Sequence, residues 1–173
     1  LLDKLSKSDD ITTTLKNLVI CIIPVYNIDG ALNRNSTTRV NQDGPESYGF
    51  RGNARNFDLN RDFIKSETLN AQSFAQIFRT WDPDVFVDTH VSNGADYQYV
   101  MTLIPTQHNK LQLPLDNYLK QTMLPVLYQE MENVGFPMTP YVNEIKQIPD
   151  EGIAGFLDLG RYSTGYTAMF NTL

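Results

Sequence analysis

The sequence predicts an α/β protein with a mixed, mostly parallel sheet flanked by helices. Two observations carry that expectation. Residues 18–23 and 85–87 are unbroken apolar runs rich in β-branched side chains, the pattern of strands covered on both faces. Segments with apolar residues at helical spacing alternate with them.

The elements follow in order. Residues 1–14 are polar and rich in Ser, Thr and Asp, which predicts a loop. The run over 18–23 is closed by Pro24, and the lone Cys21 inside it reads as a small buried hydrophobe. Residues 27–60 are rich in Asn, Gly, Asp and Arg and have almost no periodicity. So long an irregular stretch in a compact domain usually carries function. Ser66 is the predicted cap of a first helix, with Glu67 in its first turn. Phe74, Ile77, Phe78 and Trp81 form its apolar face, and Asp82-Pro83 ends it. The second strand, 85–87, runs into Asp88-Thr89-His90, and residues 97–104 predict a third. A second helix is expected over 116–134, with Leu119, Met123, Leu127 and Met131 in one stripe. Pro125 should kink it and Gly135 should end it. Residues 153–173 alternate Gly with aromatic and aliphatic residues and predict no firm element.

The chain has 173 residues, enough for one domain with a core. Its 41% hydrophobic and 20% charged content is ordinary for a soluble globular protein. A net charge of -6 argues against a nucleic-acid partner, since phosphate binding needs a basic face. It leaves room for small anions held by local arginines. No apolar stretch approaches the roughly 20 residues of a membrane span. A single cysteine excludes an internal disulfide framework and a cysteine-based zinc site. The sequence does not open on Met and shows no signal-peptide pattern, so residues 1–173 are expected to be a single incomplete domain of a longer protein.

Four local features bear on chemistry. Asn27-Ile28-Asp29-Gly30 follows the first apolar run, at a strand end where α/β sheets bind ligands; Asp-Gly is equally a tight turn. Asp58-Leu59-Asn60-Arg61-Asp62 sets an amide beside a guanidinium fork that can grip one carboxylate. A surface salt bridge from Arg61 to Asp58 or Asp62 is the alternative. His90 stands at the end of an apolar run with Asp88 before it, suited to a metal ligand or to a hydrogen-bonded structural role. His108, in a polar loop, reads as exposed. Gly160-Arg161-Tyr162-Ser163-Thr164-Gly165-Tyr166 suits a mobile lid carrying a phenol, or a turn with a packed tyrosine.

Taken in order, Asn-x-Asp-Gly, an Arg-rich loop, Asp-Leu-Asn-Arg-Asp-Phe, a helix and Asp-Thr-His resemble the metallocarboxypeptidase family that includes carboxypeptidases A and B. The stretches Arg39-Val40-Asn41-Gln42-Asp43-Gly44-Pro45 and Tyr48-Gly49-Phe50-Arg51 look like a bacterial branch of it. The resemblance implies a zinc cofactor, with His90 as one of its ligands, and a peptide or small amino-acid-derived substrate bearing a free carboxylate. It implies that Asn60 and Arg61 grip that carboxylate, and that Tyr162, or alternatively Tyr166, caps the substrate. It also implies that Arg39 or Arg51 faces the scissile carbonyl. Arg39 is favoured because longer members place an extended loop between this Arg and the Asn-Arg pair. A secreted or periplasmic location fits the family.

In such sites zinc lowers the pKa of bound water to about 7, a carboxylate takes its proton, and a guanidinium stabilises the oxyanion. Neither His90 nor His108 opens a His-x-x-Glu motif, and the family's catalytic Glu is not recognised here. The expectation is therefore an incomplete catalytic-domain fragment, without hydrolysis or tight zinc binding of its own. The family's Asn-Arg-Asn reads Asn60-Arg61-Asp62, which could weaken the grip on an anion. A zinc-dependent N-acyl amino acid deacylase, or a non-catalytic carboxylate-binding domain that has lost its metal, are the alternatives. Met169 suggests a neutral or apolar pocket for the departing side chain, or a packed core residue.

Overall fold

The computed structural model describes residues 15–40, 44–92, 97–142 and 155–173. The polar stretch 1–14, Asn41-Gln42-Asp43 and the start of the 153–173 segment lie outside the described residues. Helix α1 (Ile28–Leu32) is one turn capped by Asn27, whose side chain accepts the Gly30 N–H. Strand β1 (Arg34–Asn35) pairs antiparallel with β2 (Tyr48–Gly49), Arg34 opposite Gly49. Helix α2 (Leu69–Trp81) begins at Thr68, whose hydroxyl accepts the Ala71 N–H, and stops at Asp82 in the left-handed region. Its cap lies two residues beyond the predicted Ser66. Ser66 itself has φ +53 and closes a turn with its N–H on the Asp62 carbonyl at 2.7 Å.

The buried face of α2 is Ala71, Phe74 and Phe78. Of the predicted stripe, Phe74 and Phe78 are buried, whereas Ile77 and Trp81 are exposed. The face is rotated toward the residues that cover it. Tyr26, Phe63, Phe86 and Tyr166 all pack on the Phe74–Phe78 ridge, with ring centroids 5.1–6.5 Å apart in its closest pairs. Stacked and edge-to-face aromatic pairs at these separations each add about 1 kcal/mol beyond their burial.

Strand β3 (Met101–Leu103) pairs in parallel with β4 (Met138–Pro140), Met101 opposite Met138. The crossover is helical: α3 (Leu113–Tyr118), a π turn (Leu119–Met123) and α4 (Leu124–Asn133). Pro125 has no N–H to give to the preceding turn, and the wider π turn directly before it absorbs the misfit. Leu119 is buried and Met123, Leu127 and Met131 are half-buried, as the stripe predicts. Gly135, at φ +83, ends the helix. Helix α5 (Ser163–Thr167) follows near the end of the chain, and a 3-10 turn (Ala168–Phe170) continues it.

The expected sheet is corrected in three respects. Among the described residues the sheets are two-stranded, one antiparallel and one parallel. The runs over 18–23 and 85–87 form no strand, and Val19 and Val87 are more than three-quarters exposed. Cys21 is exposed with its neighbours. An apolar run becomes a strand only when a neighbour completes its ladder, and among the described residues none does so for 18–23. For 85–87 one residue does. Leu173 donates to the Asp84 carbonyl at 3.1 Å and accepts from the Phe86 N–H at 2.8 Å, the bonding pattern of a parallel pair. The third expected strand, 97–104, is confined to β3.

Phe74 contacts five of the other aromatic rings. Phe74→Ala is expected to cost about 3–5 kcal/mol in urea unfolding. A loss below about 1 kcal/mol would show that the cluster is not the core.

Candidate functional site

The Asn27-Ile28-Asp29-Gly30 motif is a seat for the loop that carries Arg51. Asn27 Nδ2 donates to the carbonyls of Arg51 and Gly52, both at 3.1 Å. Asp29 Oδ2 accepts the Ala54 N–H at 2.9 Å. A Cβ on Gly30 would stand 2.2 Å from the Phe50 carbonyl oxygen, so the loop can close only against glycine. Arg51 leaves this seat with its Nε on Asp58 Oδ2 at 2.8 Å.

Asp58 has a second task. Its Oδ1 accepts the Asn60 N–H at 3.0 Å and caps the 3-10 turn Leu59–Arg61. Buried Leu59 and Phe63 pin that turn from below and leave Asn60 and Arg61 half-exposed. Arg61 forms no ion pair with Asp58 or Asp62, contrary to the surface-bridge alternative. Its Nη1 donates to the Asn60 carbonyl at 2.7 Å, and its guanidinium lies over the Tyr162 ring at 4.6 Å. Asp62 is 4% exposed and turned away from the site. Its oxygens accept the N–H groups of Glu67 and Thr68 and the Thr68 hydroxyl. Burial pushes its carboxyl up, but these bonds outweigh burial and hold it below the usual range. Asp62 thus fixes the turn into α2.

His90 is exposed on the 84–92 segment, with Nε2 2.8 Å from Asp88 Oδ2. The same oxygen accepts the Ser163 hydroxyl from α5, 75 residues away in sequence. The hydrogen bond to Asp88 raises the His90 pKa; burial and the charges of Arg51 and Arg39 oppose it. Both candidate arginines therefore lie within electrostatic reach of the imidazole. Burial raises the Asp88 carboxyl, but the bonds from His90 and Ser163 prevail and lower it. With Nε2 committed to a carboxylate, Nδ1 is the nitrogen left to act as a ligand.

Tyr162 is in contact with both Arg61 and Arg161. Arg161 Nη2 donates to its phenol oxygen at 2.9 Å, and the Arg161 guanidinium carbon is 4.9 Å from its ring. Tyr166 packs instead among Phe63, Phe74, Phe78 and Phe170. Fully buried Asp158 accepts the Thr164 hydroxyl at 3.0 Å and the Gly165 N–H, holding the start of α5. His108 is exposed in a 3-10 turn (His108–Lys110).

The structure thus connects Arg51, Asn60, Arg61, Tyr162 and His90 through Asp58, Ser163 and Asp88. Sequence reading missed Asp58 as a double connector, although its spacing to Asn60 is that of a cap. It also missed Ser163, because nothing local points from it to Asp88. Among the described residues no three His, Cys, Asp or Glu side chains converge on a metal position. His90 offers one imidazole where a catalytic zinc takes three protein ligands, so these residues do not hold zinc as a set.

The sequence model of the zinc carboxypeptidase family matches residues 1–129. No curated protein and no solved structure matches the chain.

Two outcomes follow from the charges. Asp62 has a depressed pKa, so its stabilisation is present above about pH 4 and is lost as pH falls through its folded value. Asp62→Ala should cost about 3 kcal/mol at pH 7 by denaturant unfolding. The gap to the parent should narrow toward pH 3; a gap independent of pH would refute the assignment. The Asp88–His90 pair has a lowered acid and a raised base. It stabilises most between about pH 4 and 6.5 and is lost on either side as the folded values are passed. In an NMR titration His90 should ionise above its ordinary value of about 6.5, and Asp88→Asn should bring it below. An unmoved His90 titration in that variant would remove Asp88 as its partner.

Proposed function

Because the chain belongs to the zinc carboxypeptidase family, we propose that it supplies the carboxylate-gripping side of a peptidase that removes C-terminal residues from peptides. The family is one of hydrolases and is zinc-dependent in general. The observation that carries the reading is the connection between two sequence-distant parts: the Asn60-Arg61 turn meets Tyr162, and Ser163 beside it meets the Asp88–His90 pair.

In this reading Asn60 and Arg61 bind the terminal carboxylate. The ring of Tyr162 supports the face of the Arg61 guanidinium, and its N–H edge is left for a two-point bond to the anion. Tyr162 closes over the bound end, and Tyr166 anchors that segment in the core. Arg51 is the better candidate for the scissile carbonyl than Arg39. Asn27 and Asp29 brace its loop, and Asp58 ties it to Asn60, so its charge stands at a fixed distance from the clamp. Such preorganisation is what makes a cation effective toward a developing oxyanion. His90 is one ligand of a metal set whose other members are not among the described residues. Hydrolysis is accordingly proposed for the protein with a complete set, not for these residues alone.

Charge-assisted hydrogen bonds are worth about 1.5–3 kcal/mol each. Arg61→Gln should weaken binding of N-acetylalanine by about 10- to 100-fold in isothermal titration at low salt. Equal affinity in the two proteins would sink the clamp.

A further inference from the structure

We propose that Arg161 forms a second carboxylate subsite beside Arg61, so that the site takes peptides ending in an acidic residue. The inference rests on the clamp reading of Arg61 and adds the class of side chain beyond it.

Two guanidiniums flank one phenol. Arg61 and Arg161 have their central carbons 4.6 and 4.9 Å from the centroid of the Tyr162 ring. They therefore stand within about 10 Å of each other, the most that two such distances allow. Neither is paired with a carboxylate among the described residues, although the chain carries a net charge of -6. The acids along the same stretches are already committed. Asp58 holds Arg51, Asp62 holds the turn before α2, and Asp88 holds His90 and Ser163. Two cations this close, with no acid opposite either among the described residues, repel, and a ligand with two negative charges relieves that repulsion.

The geometry selects the ligand. A carboxylate in a two-point bond with a guanidinium places the two carbons about 4 Å apart. The carboxyl carbons of an extended glutamate are about 5 Å apart. A C-terminal Glu or Asp can thus span from Arg61 to Arg161, whereas an alanine end reaches only one of them. Arg161 is also preorganised, since the Tyr162 phenol already fixes its Nη2, which lowers the ordering cost of a further bond. Met169 is about half exposed, so it is not a packed core residue.

The test is calorimetric and uses the chain itself with N-acetylalanine and N-acetylglutamate at low salt. Arg161 is exposed, so the preference expected for the dicarboxylate is about fivefold, shrinking as salt screens it. Arg161→Gln should bring the ratio of the two affinities close to one, with the fold checked by circular dichroism. Equal affinities in the parent, or a ratio that survives Arg161→Gln, would overturn the second subsite and leave the clamp standing. Failure of both ligands to bind would overturn the clamp and the subsite together.

Discussion

The packing of five aromatic rings around Phe74 and Phe78 is the constraint on which the rest depends. Four of the segments around the candidate site have one aromatic anchor each in that cluster, and the Arg51 loop is braced through the first of them. Tyr26 precedes Asn27, Phe63 follows Arg61, Phe86 precedes Asp88, and Tyr166 follows Tyr162 and Ser163. Phe170 closes the far side on Phe78 and Tyr166. Loops are easily displaced because few of their groups are buried. One ring, buried within a few residues of the polar group, converts a loop position into a fixed one.

Above that apolar floor, carboxylates are the connectors. Asp58 joins Arg51 to the Asn60 turn, Asp62 joins the turn to α2, Asp88 joins His90 to α5, and Asp158 holds the first turn of α5. A carboxylate has two oxygens and several lone pairs, so one side chain can bind two partners in different directions. In the proposed reading, this is how an acidic chain can build a site for an anion. Four of its carboxylates are spent on internal partners, and Arg61 keeps its charge with no acid opposite it among the described residues.

How much was legible in the sequence follows from the range of each interaction. The stop of α2 at Asp82-Pro83, the end of α4 at Gly135 and the disturbance around Pro125 were readable, because caps and prolines act within one turn. The start of α2 was misplaced by two residues because Asp62, not Ser66, organises that turn. The expected mostly parallel sheet does not form among the described residues, because a strand is a relation between two segments and the apolar runs carry no record of their partner. Asn60, Arg61 and His90 could be nominated from their motifs. Their meeting through Ser163 could not, since that contact spans 75 residues.

The arginines illustrate the last step from placement to role. Arg51 has its charge opposed at 2.8 Å by Asp58 and its loop braced by Asn27 and Asp29. It is well positioned and partly neutralised, suited to a small charge that appears during a reaction at a fixed point. Arg61 is held over a ring and by one N–H on a carbonyl, with no acid opposite it among the described residues. It keeps a full charge and an open edge, suited to a permanent anion that arrives from solvent. In the proposed reading the same side chain, set by different neighbours, separates holding the substrate from acting on it, and the aspartate at position 58 is what makes the difference.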